Sequence, residues 1–182
     1  MNHSFSFSFS HVPAVMKRGR HALIAVKTET GNYILGAKDI YPQGVYRLIG
    51  GGLEKDEDPA VGATRELKEE LGISYTPDQL QPLATVTAEI DETSTGKHYT
   101  FVTYLFETTV ERKLVKPADD LDGIKEFSLE QMQTLIHRYS DLSDELIQFQ
   151  KPGDTRPLEP FRWRDYGKLY GKIHELVLKS AH

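Results

Sequence analysis

Residues 51–73 read GGLEKDEDPAVGATRELKEELGI. The spacing is Gly51, five residues, Glu57, seven residues, then Arg65-Glu66-Leu67-x-Glu69-Glu70-x-Gly72-Ile73. A glycine-rich turn thus leads into a short helix. Asp58 is a good N-cap, and Pro59 suits the first helical position, where a missing N–H costs nothing. Residues 60–71 are mostly strong helix formers, and Gly72 stands where a left-handed residue terminates a helix. Ala60, Ala63, Thr64, Leu67 and Leu71 share one side, which is expected to pack on a core.

Glu66, Glu69 and Glu70 sit three and four apart, so they are surface neighbours beside that stripe. Like charges at this spacing cost an isolated helix about 0.2–0.5 kcal/mol per pair. A divalent cation holding a polyphosphate would relieve them, because magnesium takes one or two carboxylates completed by water and phosphate oxygens. Arg65 and Lys68 also permit a plain solvated helix of mixed charge. The glycine turn, Glu57 and Arg65 in one register favour the metal site.

The segment resembles the signature of the Nudix hydrolases at every specified position. The resemblance implies an α/β fold, a Nudix-type α/β/α sandwich with a mixed sheet and the Nudix loop–helix–loop. It also implies hydrolysis of a nucleoside diphosphate linked to another moiety, with Mg²⁺ or Mn²⁺ as cofactor. By position, Glu66, Glu69 and Glu70 are similar to the family's metal-binding and base-supplying glutamates, and the Gly50 carbonyl to a backbone metal ligand. Glu66, Arg65 and Glu69 are the catalytic candidates, Arg65 by orienting the glutamates. Gly51 and Glu57 would brace the loop. Upstream, Tyr46-Arg47-Leu48-Ile49-Gly50-Gly51 departs from the family's usual pattern in carrying Ile49 where proline is common.

Composition agrees with a compact enzyme. The 182 residues suit one domain with extensions, with 38% hydrophobic and 27% charged residues. A net charge of −5 argues against nonspecific nucleic-acid binding. The absence of cysteine excludes disulfides and thiolate zinc sites and fits a cytoplasmic protein. No apolar run reaches membrane-spanning length, so no membrane partner is expected.

Along the chain, residues 1–19 form an N-terminal extension in which Phe5-Ser6-Phe7-Ser8-Phe9-Ser10 alternates as an edge strand would. Residues 20–140 are the expected hydrolase core. They start with a hairpin, His21–Lys27 and Tyr33–Ala37, with Gly31 in its turn, followed by a short strand at Val45–Ile49. Strands are expected at Leu83–Ile90 and His98–Val110. Ser128 with Gln131 forms a capping box opening a helix. Residues 141–182 are a C-terminal extension containing an amphipathic helix within 161–179, expected to pack on the core or on a second subunit, with a homodimer the favoured assembly. Arg162, Trp163 and Arg164 offer a rival reading as base or phosphate contacts.

The general base is left open between Glu66 and an acid from a later loop: Glu89, Asp91 or Glu92, or Asp119, Asp120 or Asp122. The expected partner is a small nucleoside diphosphate derivative. The alternative is a binding or regulatory module on the same fold without turnover. The sequence names no substrate-binding residue.

Overall fold

The computed structural model describes residues 1–38, 41–118, 121–142, 146–147 and 161–180. Seven strands form one mixed sheet: β1 (Asn2–Phe9), β2 (Arg20–Thr28), β3 (Tyr33–Ala37), β4 (Ile49–Gly52), β5 (Gln81–Glu92), β6 (Lys97–Val110) and β7 (Gly123–Phe127). Their order is β1-β5-β6-β2-β3-β7, with β4 pairing β2 beside β3. Helix α1 is Ala14–Lys17, α2 is Pro59–Leu71, α3 is Leu129–Ser140 and α4 is Trp163–Ser180. Leu146–Ile147 and Phe161–Arg162 form a separate two-stranded pair.

Strand β2 is apolar along nearly its whole length because it is covered on both faces. Ala22, Ile24 and Val26 join Ala63, Leu67 and Leu71 of α2 in one core. Leu23 and Ala25 point the other way, into a second core with α3 and α4. The expected sandwich is present, with the sheet between these helices. One edge of β2 is shared: Val26 and Lys27 pair with β3, and His21–Ile24 pair with β4. A bridge from Gly36 to Arg47 closes the fork.

Local signals set the elements. Asp58 caps α2 by accepting from the Ala60 and Val61 N–H groups, and Gly72 ends it at φ 70°. Ser128 and Gln131 make the capping box of α3. The expected strand at Val45–Ile49 is a misreading: the strand is Ile49–Gly52, so the glycines lie in a strand and the turn is Leu53–Asp58. A Cβ on Gly50 would sit 2.2 Å from the Ala22 carbonyl oxygen, and φ there is 131°. Only glycine lets this strand approach β2 so closely.

The N-terminal alternation is an edge strand running parallel to β5, from Asn2 opposite Thr85 to Phe9 opposite Glu92. Its serines are exposed, and Phe9 is buried with Phe7 packed beside it. Its partner is its own chain, which removes the pairing need that favoured a homodimer. Beyond it, Asp165 of α4 accepts from the Ser10 N–H and hydroxyl at 2.7 and 2.8 Å. Helix α4 buries Trp163, Tyr166, Leu169, Tyr170, Ile173 and Val177 against this core.

Two histidines are sealed in the same layer. Burial pushes the pKa of His174 down to about 4 and that of His21 to about 3, with the Arg47 charge adding to both. The unfolded chain takes up protons near 6.5 while the folded chain stays neutral. Stability is therefore intact above pH 6.5 and falls as pH drops towards 4, by up to about 1.4 kcal/mol per pH unit for each histidine. The urea midpoint should fall between pH 7.5 and 5. His174→Gln should lower it at pH 7.5 yet flatten that fall; equal falls in both chains would show that His174 does not carry the effect.

Candidate active site

Antiparallel pairing with β2 holds Gly50–Gly52 against α2, which crosses them with its carboxylates. A Cβ on Gly51 would lie 2.6 and 2.7 Å from the two Glu66 carboxylate oxygens. The missing side chain is the space that Glu66 occupies. One turn on, Glu70 accepts from the Gly50 N–H at 2.9 Å, and Lys38 stands 3.6 Å from its other oxygen.

Arg65 ties the acids together. Its Nε and Nη2 donate to the two oxygens of Glu57 at 3.0 and 3.1 Å, and Nη2 also reaches the Gly52 carbonyl. Its Nη1 donates to Glu66 at 2.8 Å and to Glu69 at 3.0 Å. The chain itself therefore supplies a positive charge beside the crowded carboxylates. Glu57 also accepts from the Glu54 N–H, closing the loop on itself. The Arg65 bonds and that backbone bond outweigh its desolvation and hold its pKa below the ordinary carboxylate value.

The acids differ in exposure. Glu69 has 49% of its side chain open, whereas Glu66 has 13% and Glu70 only 7%. Burial raises the pKa of Glu66 despite Arg65, and that of Glu70 despite the Gly50 N–H and Lys38. Two partly desolvated carboxylates beside an exposed third are a donor set that a hard divalent cation would stabilise. Among the described residues no three acidic or histidine side chains converge on one point. Arg65 holds Glu66 and Glu69, and Glu70 is turned to the strand. This suits a cation completed by water and substrate oxygens better than a closed protein cage.

The later acids separate by location. Glu92 is 1% exposed and bound by the Val12 N–H, the Thr95 hydroxyl and His11, so it fastens the N-terminal segment to the β5–β6 turn. Its carboxylate is thereby committed to three partners of its own chain. Glu89 and Asp91 grip the two ring nitrogens of His98 at 2.9 and 2.8 Å, and neither enters the Arg65 network. Asp119 and Asp120 lie outside the described residues. Ala118 lies beside the site, its N–H donating to the Glu70 carbonyl. The Asp122 N–H donates to the Ala37 carbonyl. The side chain of Arg162 also lies outside the described residues. Trp163 is buried, which removes it as an exposed stacking platform.

Next to the loop opens a hollow of about 610 Å³ lined by Arg18, Arg20, Leu53, Glu54, Lys55 and Asp56. Arg18 and Arg20 thus flank the loop that carries Glu57. Arg20 donates to the Glu57 carbonyl and stands 5.6 Å from the Tyr104 ring centre.

A family model for the NUDIX domain matches residues 16–150, most of the chain. The chain belongs to the NUDIX family. As a Nudix protein it is a hydrolase acting on phosphorus anhydrides, and the match leaves α4 beyond its end. Among solved structures, the MutT protein from Methanosarcina mazei Go1 is 18% identical, with a TM-score of 0.50 over 86% of this chain and 94% of that one. The dihydroneopterin triphosphate pyrophosphohydrolase of E. coli is 19% identical, with a TM-score of 0.52 over 68% and 87%. A MutT/nudix family protein from Enterococcus faecalis is 16% identical, with a TM-score of 0.50 over 64% of this chain, which spans only 46% of that protein's length. At these identities the likeness is one of fold. No curated protein matches the chain. Among the described residues no helix is long and apolar enough to cross a membrane.

Proposed function

We propose that this Nudix protein hydrolyses a pyrophosphate bond in a nucleoside diphosphate linked to another moiety, with Mg²⁺ or Mn²⁺, by water attack on phosphorus. The observation that carries this is the seating of the Glu66 carboxylate against Gly51, bridged by Arg65 to Glu57 and Glu69. Glu66, Glu69, Glu70 and the Gly50 carbonyl would hold the cation. When bound, the metal supplies charge neutralisation for the diphosphate and acidifies water. Glu66 is the favoured general base by its place against Gly51, beside the candidate cation site. Arg65 fixes the angle of Glu66 and Glu69, with Glu57 holding Arg65 in turn. Residues 20–140 would be the catalytic unit, and 1–19 and 141–182 extensions that complete it. The absence of cysteine fits a reducing cytoplasm.

The test is a panel of nucleoside diphosphate derivatives incubated with magnesium or with excess chelator, read by phosphate release and product mass. Cleavage of at least one compound into two phosphorylated products is expected with metal, faster at alkaline pH, and none with chelator. Full turnover in chelator would overturn the mechanism. Saturable binding of a nucleotide without any cleavage would make the protein a binding module.

A further inference from the structure

Arg47 follows Tyr46 at the fork between β3 and β4, three residues before Gly50. Its guanidinium is enclosed by tyrosines, with the ring centres of Tyr170, Tyr166 and Tyr41 at 4.5, 5.5 and 5.6 Å. Nη1 donates to the Tyr166 hydroxyl, and the buried Nε has no acceptor. Arg47 taken as a whole residue is half-buried. Among the described residues no carboxylate forms an ion pair with it; the groups that most favour its charge are the phenols of Tyr166, Tyr170, Tyr41 and Tyr139, with Glu70 coupled to it from further off.

A guanidinium held away from water needs an anion, and rings with neutral phenol oxygens compensate it only in part. Ring faces lack the full charge and directed acceptors that an oxyanion would offer the guanidinium. The unused Nε–H belongs to a fork that matches phosphate oxygens two at a time. Along the chain Arg47 lies three residues before Gly50, whose N–H holds Glu70, and the Arg47 charge works against the burial that raises that carboxyl's pKa. Tyr166 and Tyr170 come from α4, beyond the segment that the family model matches.

We propose that Arg47, framed by Tyr41, Tyr166 and Tyr170, is a substrate-phosphate subsite, so that the C-terminal helix completes the binding site. This rests on the hydrolase reading for its ligand, but phosphate binding at Arg47 needs no metal and no turnover.

The chain carries its own reporter. Trp163 is its one tryptophan, with ring centres 5.2 Å from Tyr41 and 5.4 Å from Tyr166. Inorganic pyrophosphate titrated into the full chain in excess chelator should change Trp163 fluorescence saturably. Arg47→Lys keeps a charge without the fork and should weaken binding at least about tenfold; Arg47→Met should abolish it. No saturable response in wild type, or equal affinity in Arg47→Lys, would overturn the subsite. An equal response to succinate would overturn the assignment to phosphate. If Arg47→Met does not fold, Arg47→Lys decides alone. Metal-free binding lost in Arg47→Lys, with no hydrolysis of any compound, would leave the subsite standing and remove the hydrolase reading. Hydrolysis with unchanged kinetics and binding in Arg47→Lys would do the reverse.

Discussion

Glu66→Gln is expected to lower kcat by about 10²–10⁴-fold, the usual contribution of a positioned general base. The amide still fills the space over Gly51 and still accepts from Arg65, so geometry is kept while proton acceptance is lost. Stability should move the other way. Burial works against the charge on Glu66, and glutamine carries none, so the metal-free melting temperature should hold or rise. Glu69→Gln should also reduce kcat, with a larger effect on the magnesium requirement, because this exposed side chain can turn towards a bound cation. Glu70→Gln differs from both. Its carboxylate is buried on the Gly50 N–H with Lys38 nearby, so the swap disturbs the strand as well as the charge. Steady-state kinetics, magnesium titration and melts in chelator check all three. Rates within a few-fold of wild type for Glu66→Gln and Glu69→Gln would reduce the glutamates to a charged helix face.

Truncation after Asp154 is expected to abolish the fold. Leu169, Ile173 and Val177 of α4 have no exposed surface, and Trp163 and Tyr170 have 1 and 2%. Removing one such side chain, as in Ile173→Ala, costs about 2–5 kcal/mol. A domain has only about 5–15 kcal/mol to lose, so deleting the whole helix exceeds it. It also strips the cover from Leu23, Ala25 and Phe101 on the sheet and frees the Ser10 segment from Asp165. Far-UV circular dichroism, light scattering and a denaturant melt give the answer. A truncated chain with unchanged mass state and melting temperature would show that the extension is dispensable.

The sequence by itself determined what is local. Asp58, Pro59 and Gly72 bound α2, and Ser128 with Gln131 starts α3, because capping is settled by hydrogen bonds within one turn. Period-two patterning marked Phe5–Ser10 as a strand, and the Gly51–Ile73 frame marked the site. Tertiary structure decided everything that depends on residues far apart in the chain. The glycines became a strand because β2 pairs with them, a contact that no turn statistic contains. β1 found β5 some eighty residues away and needs no second copy. Glu69 and Glu70 are adjacent in sequence, yet one is half exposed and the other buried, because β4 and Lys38 approach only one side of the helix. Arg47 looks like an ordinary polar residue in its own segment. Its enclosure by Tyr166 and Tyr170 arises because α4 folds back across the sheet, and desolvation is a property of the assembled neighbourhood rather than of the residue.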